Sequence, residues 1–223
     1  MLAVEPIVTQ DGSKTLYCRD LDEQYHSVFG AISESRHVFI DAGLTPFSGH
    51  PVLQVFEVGF GTGLNCLLAA LFAIEHRIDM MYYTVEKFPL PESITGQLNY
   101  GELIGGDASA LFKAIHQAAW DENAALHPRF TVRKIKADMV HDAIVIPGLA
   151  DVVFFDAFGP DKQPEMWTAP ILGKVAVLTA SGGILVTYSA KGEVRRSLIS
   201  LGFAVERIPG PTGKREMIRG TKK

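Results

Sequence analysis

Val52-Leu53-Gln54-Val55-Phe56-Glu57-Val58 runs directly into Gly59-Phe60-Gly61-Thr62-Gly63, and Leu64 to Ile74 follows as a largely apolar segment. The first stretch is short, apolar and rich in β-formers, which predicts a strand buried in a sheet. The glycines predict a tight turn where backbone can approach a ligand closely. The third stretch predicts a helix. Strand, glycine turn and helix in this order open an α/β sheet, whose ligands sit at the carboxyl ends of the strands.

Working outward, Met80-Met81-Tyr82-Tyr83-Thr84-Val85 reads as a second strand, followed by a turn at Pro89-Leu90-Pro91 and a helix from Glu92. Asp107 to Ala119 reads as a helix with Asp107 or Ser109 as its cap. Phe130 to Ile135, Asp151 to Phe155 and Gly183 to Tyr188 supply three more strands, and helices are expected over Pro170 to Leu178 and Glu193 to Ser200. Phe203 to Ile208 and Lys214 to Ile218 lie too close together for a helical crossover, so they should pair antiparallel at the sheet edge. The expected fold class is therefore α/β and Rossmann-like: a mostly parallel, seven-stranded sheet with an antiparallel edge. Residues 1–50 fit this pattern poorly. They are expected to form an extension packed on a core domain of residues 51–223, with Leu16-Tyr17-Cys18 and His37-Val38-Phe39-Ile40 as a small β addition.

The spacing of the glycines selects among ligands. A dinucleotide turn, G-x-G-x-x-G counted from Gly59, needs glycine where Leu64 stands, and the third glycine comes one residue early, at Gly63. No Gly-Lys-Ser/Thr follows, which removes the P-loop. Glu57, just before the turn, would repel a phosphate but suits a ligand carrying an ammonium group. Glu86, ending the second strand, offers two acceptor oxygens to a ribose diol, and Asp138, after the third, is placed to accept from an adenine amino group. Acids at three successive strand ends together point to S-adenosyl-L-methionine and to a methyltransferase of the class I fold.

Asp156-Ala157-Phe158-Gly159-Pro160 follows the fourth strand, with Lys162, Pro164 and Trp167 close behind. A carboxylate at this strand end lies beside the reactive end of such a cofactor, with Phe158 and Trp167 available to exclude water. Methyl transfer needs nucleophile, carbon and sulfur in line, so the protein contributes mainly positioning. An amine acceptor must also be neutral, and Asp156 is the candidate to orient it and take its proton. Phe158, Lys162 and Trp167 are the candidates to face the substrate, with a pair to Asp161 as the other explanation of Lys162 and a core position as that of Trp167. The seven histidines form no HExxH pair, Ser181 is not in G-x-S-x-G, and no metal is assigned.

Composition sets the outer limits. The chain has 223 residues, 47% of them hydrophobic, enough for one core. No run approaches the ~20 apolar residues of a membrane span, and Met1-Leu2-Ala3-Val4-Glu5-Pro6 has no leader pattern, so the cytoplasm is expected. Cys18 and Cys66 stand alone, without metal spacing. The net charge of −4 makes no global case for nucleic acid, but Lys214, Arg215, Arg219, Lys222 and Lys223 concentrate near the end.

Several stretches resemble one family: Arg19 to Tyr25, Glu34 to Phe39, Glu57 to Asn65, Val85-Glu86-Lys87, Asp156 to Thr168, Arg195-Arg196 and Gly213-Lys214-Arg215-Glu216-Met217. They look like the tRNA 5-methylaminomethyl-2-thiouridine methyltransferases, the methyltransferase half of the two-part MnmC enzyme and its stand-alone form MnmD. The block D-A-F-x-P-x-K-x-P-x-x-W and the K-R-E-M near the end carry most of the specificity. The resemblance implies methylation of the aminomethyl group on the wobble uridine of tRNA, with Asp156 next to the amine. It implies Asn65 and Lys87 as further cofactor contacts, and Lys214 and Arg215 as contacts to the anticodon region of the tRNA. Two-part members carry a second, flavin-dependent half, which is expected to be missing here. The aminomethyl precursor is then expected from another route or a separate oxidoreductase. Two other readings remain: a methyltransferase or aminopropyltransferase acting on a small amine, and a non-catalytic RNA- or partner-binding module.

Overall fold

The structure is a computed structural model that describes residues 3–223; Met1 and Leu2, the start of the expected extension, lie outside the described residues. Strands β1 (Val4–Val8), β2 (Lys14–Cys18) and β3 (Glu23–Gln24) form a small antiparallel sheet. Helix α1 (Ala31–Ser35) then continues into a wider π-helical stretch, Arg36–Leu44. Here the expectation of a strand over His37 to Ile40 fails. Val38, Phe39 and Ala42 are buried together, a helical spacing, and Phe39 packs its ring 5.0 Å from that of Phe154 on the main sheet. Three β-prone residues in a row, Val38, Phe39 and Ile40, did not outweigh that shared face.

The main sheet is built from β4 (Val52–Val58), β5 (Asp79–Glu86), β6 (Asn123–His127), β7 (Phe130–Lys136), β8 (Ala150–Phe155), β9 (Thr179–Thr187), β10 (Phe203–Pro209) and β11 (Glu216–Lys222). Their order is β10-β11-β9-β8-β4-β5-β7-β6. The five central strands are parallel, and β10 and β11 form the expected antiparallel pair at one edge. All seven expected strands are present. The eighth, β6, was missed: Asn123-Ala124-Ala125-Leu126-His127 has no β-branched residue, and it pairs antiparallel with β7 through the short turn at Pro128-Arg129.

The helices α2 (Leu64–His76), α3 (Glu92–Thr95), α4 (Tyr100–Ile104), α5 (Ala108–Gln117), α6 (Ala169–Leu178) and α7 (Gly192–Ser200) cover the two faces. Asp107 stands at the start of α5 but makes no side-chain cap. Along β4, Leu53 and Val55 face the core beneath α2 and α5, while Phe56 and Val58 face the core beneath α6 and α7. Helix α2 is buried nearly all round, Cys66 included, because the N-terminal helical segment covers the side that the sheet does not. No helix among the described residues is long and apolar enough to cross a membrane, and no group of three or more potential metal ligands occurs among them.

This topology positions the site. The chain runs from β4 outward to β5 and β7, then returns to β8 on the other side of β4. The crevice at a reversal of strand order is where open α/β sheets bind ligands.

Candidate functional site

A cavity of about 730 Å³ opens at the carboxyl ends of β4, β5 and β8. Its floor is the glycine turn. Gly59 has φ 93°, and a Cβ added there would stand 2.6 Å from the backbone oxygen of Asp156, so the two strand ends approach as only glycine permits. Gly59 N–H donates to Val85 O and Asp156 N–H to Val58 O, both at 3.0 Å, which ties together the ends of β4, β5 and β8.

Glu86 supports the turn from the side. One carboxylate oxygen accepts from Gly61 N–H at 3.1 Å and the other from Phe88 N–H at 2.8 Å. Burial raises its pKa, and these backbone bonds oppose the rise. Each oxygen retains a lone pair toward the cavity for a hydroxyl donor. Asp138 and Lys87 also line the cavity, but as partners of each other: Asp138 accepts from Lys87 Nζ at 2.8 Å, His141 Nδ1 at 2.7 Å and Val140 N–H at 2.8 Å. Desolvation works against its charge. The bonds from Lys87, His141 and Val140 prevail and hold it well below the usual carboxylate range.

Asp156 and Asn65 also line the cavity, and Asn65 Nδ2 donates to Asp156 Oδ2 at 2.7 Å. Desolvation raises the Asp156 pKa to about 7, with the Asn65 bond opposing, nearby Glu34 adding to the rise and Lys214 countering it. Glu57 lies behind the wall rather than on it. It is fully buried beside Thr84, Asn65 and Tyr82, and neither carboxylate oxygen makes a well-formed hydrogen bond. Burial pushes its pKa up to about 8.

That shift has a consequence for stability. The folded chain keeps the Glu57 proton up to about pH 8, whereas the unfolded chain releases it near 4.5, so stability falls as pH rises between those values. Glu57→Gln is expected to remove this decline and gain of the order of a few kcal/mol at pH 8. Urea denaturation at pH 5, 7 and 9 measures it; a variant with the wild-type pH slope refutes the assignment.

The remaining expected residues divide. Phe158 lines the cavity, its ring edge-on to Tyr25 at 4.9 Å. Trp167 does not line it; the indole is buried and its Nε1 donates to Phe158 O at 2.7 Å, so it fixes Phe158 from behind. Lys162 lies outside the lining and pairs with Asp22 at 3.3 Å rather than with Asp161, which pairs with Lys191. Lys214 is not a free surface cation: it lines the cavity and pairs with Glu34 at 3.2 Å. Arg215 is exposed and outside the lining.

Residues 21–29 close the cavity from above, a contribution the sequence did not disclose. Tyr25 sits over Gly61, where a Cβ would meet its ring at 3.1 Å. His26 is buried with Nε2 2.8 Å from Thr62 Oγ1, and burial drops its pKa to about 4, so the imidazole is neutral. These contacts join positions 36 residues apart, beyond the reach of any local spacing rule. The fit to a sulfonium cofactor rests on the glycine cradle, the free lone pairs of Glu86 and an enclosed space of suitable size.

Comparisons with known proteins give the family and the fold. The sequence model of a family described as S-adenosyl-L-methionine-dependent methyltransferase matches residues 110–223. A protein of Pseudomonas fluorescens (strain Pf0-1) named tRNA 5-methylaminomethyl-2-thiouridine biosynthesis bifunctional protein MnmC is 33% identical over 214 residues, covering 91% of this chain and 32% of that protein. Its namesake from Ectopseudomonas mendocina (strain ymp) is 34% identical over 225 residues, again 91% of this chain and 32% of the relative. The chain thus spans about a third of the length of these curated relatives. Among solved structures, MNMC2 from Aquifex aeolicus superposes with a TM-score of 0.79 at 28% identity, covering all of this chain and 72% of that one. DesVI of Streptomyces venezuelae shares the fold at 10% identity and a TM-score of 0.50, covering 86% of this chain and 92% of that one.

Proposed function

The chain belongs to the S-adenosyl-L-methionine-dependent methyltransferases, and from that premise we propose that it methylates the aminomethyl nitrogen of 5-aminomethyl-2-thiouridine at the wobble position of tRNA. The observation that carries the reading is Asp156: a carboxylate with a pKa near 7, held by Asn65 in a deep cavity that also contains the glycine turn. The names of the curated relatives, which place them in 5-methylaminomethyl-2-thiouridine biosynthesis on tRNA, support the acceptor. In this reading residues 51–223 are the catalytic domain and the segment before it is its cover.

When bound, the cofactor would supply an electrophilic methyl group on a sulfonium, for which the amine must present a free electron pair. The protein positions and receives the proton. Asn65 holds one oxygen of Asp156, leaving the other to orient the amine and accept its proton. Glu86 is proposed to receive the ribose hydroxyls. Asp138, with Lys87 beside it, is proposed to border the adenine, and the cofactor's backbone contacts fall to Gly59 through Gly63. Glu57, enclosed behind the wall, would act through Asn65. Tyr25 and Phe158 exclude water, and Trp167 keeps Phe158 in place. Lys162 braces the cover through Asp22.

Arg215, exposed where the β10–β11 turn enters β11, is the proposed phosphate contact for the anticodon region. Arg215→Ala is expected to weaken tRNA binding and reduce its salt slope by about one; an unchanged slope returns it to ordinary surface. The aminomethyl precursor is proposed to come from a separate oxidoreductase. The deciding experiment is the nucleoside profile of tRNA bearing 5-aminomethyl-2-thiouridine after incubation with enzyme and methyl-labelled cofactor. Label in 5-methylaminomethyl-2-thiouridine supports the proposal; transfer to a free small amine but not to tRNA replaces it.

A further inference from the structure

We infer that Glu34 and the ring face of Tyr188 form a primary-ammonium subsite at the acceptor end of the cavity, which Lys214 fills with its own ammonium until an acceptor amine displaces it. The inference rests on the amine-acceptor reading given above and names how that amine is recognised. The Glu34 side chain is 10% exposed, and one of its oxygens accepts from Ser27 N–H at 2.7 Å. The other faces Lys214 Nζ at 3.2 Å, and the same Nζ stands 3.8 Å from the centroid of the Tyr188 ring. A carboxylate together with an aromatic face is the chemistry that selects an alkylammonium.

The subsite belongs to the reaction cavity. Glu34, Tyr188, Lys214 and Asp156 all line it, and Tyr188 OH donates to Ala157 O at 2.8 Å, which keys the ring to the residue after Asp156. A buried carboxylate without a counter-ion is costly, so the empty site needs an occupant. Lys214 is suited to be a temporary one. Its side chain is 38% exposed, on the turn between β10 and β11, so its stem has a path to solvent while Glu34 stays buried. Lysine also ends in the same CH₂–NH₃⁺ group that the proposed acceptor carries. Glu34 is thus a positioning residue that captures the amine, and Asp156 is the base that deprotonates it.

The test removes the resident lysine and supplies its head group. In Lys214→Ala, ethylammonium chloride is expected to raise the melting temperature saturably, while sodium chloride at equal ionic strength does not. Wild type, with Lys214 competing, should need a higher concentration for the same rise, and Glu34→Gln combined with Lys214→Ala should lose it. Lys214→Ser serves as a second variant, with circular dichroism checking the fold of each. Absence of a saturable rise in the folded Lys214 variants overturns the subsite, as does a rise that survives Glu34→Gln. In methyl transfer to tRNA, Glu34→Gln should raise KM for the acceptor tenfold or more with kcat within about threefold. Lys214→Ala removes the internal competitor and should lower KM for the acceptor; a rise above threefold overturns the displacement. Failure of tRNA methylation by wild type would reject the acceptor while the ammonium titration still reads the subsite.

Discussion

Asp156→Ala is expected to lower kcat for methyl transfer to the amine by roughly 10²–10⁴-fold, the range associated with removing a general base, while the cofactor still binds. The separation follows from position. Asp156 follows β8 and its side chain is bonded to Asn65, whereas the cradle is backbone of the glycine turn supported by Glu86. Removing the carboxylate leaves that backbone where it is. Asp156→Asn sharpens the test, because it keeps the volume and can still face Asn65 but cannot take a proton. Single-turnover kinetics with labelled cofactor, alongside calorimetric affinity, would measure both quantities; full activity in either variant sinks the assignment.

The wild-type pH profile provides an independent reading. A base must be ionised to act, and the Asp156 pKa stands at about 7 because of desolvation. The rate should therefore rise through about pH 7 on its acid limb. Lys214 counters the shift in Asp156 and Glu34 adds to it, so Glu34→Gln should move the limb to lower pH. A limb below pH 5 in wild type would indicate that Asp156 is not the titrating group.

What could be read from the residues was whatever depends on neighbours along the chain. The apolar runs gave the parallel strands, and the early glycine at position 63 excluded a dinucleotide. The hairpin partner β6 escaped because alanine and asparagine carry little strand preference. The place of Lys214 in the cavity was hidden for a related reason: its partner Glu34 lies 180 residues earlier. Tyr25 and His26 gave no signal of their own, since their role depends on the N-terminal segment folding back over Gly61 and Thr62. The cofactor half of the site is built at successive strand ends and is local. The acceptor half is assembled by long-range closure, and the chain order hides it.

Gly59→Ala is expected to have the larger structural effect, because it strikes the point where both halves meet. A Cβ at this position would stand 2.6 Å from Asp156 O and 3.2 Å from Asp156 C, and φ is 93°, outside the region that alanine adopts comfortably. Neither obstacle yields, since the opposing atoms are backbone at the end of a central strand. Strain of this kind costs about 1–3 kcal/mol, and relief by parting β4 from β8 would displace both the cradle and Asp156. A misplacement near 1 Å is enough to cost ~10²-fold in rate, so activity should fall at least that far with cofactor affinity reduced in parallel. Gly61→Ala is the control. There φ is 47°, so alanine is strained as well, but the added methyl meets only the Tyr25 ring at 3.1 Å, a side chain able to shift. Melting temperature and cofactor affinity measured for both variants should rank Gly59→Ala far below Gly61→Ala. Equal losses would mean that the contact between Gly59 and the Asp156 backbone does not hold the two strand ends together.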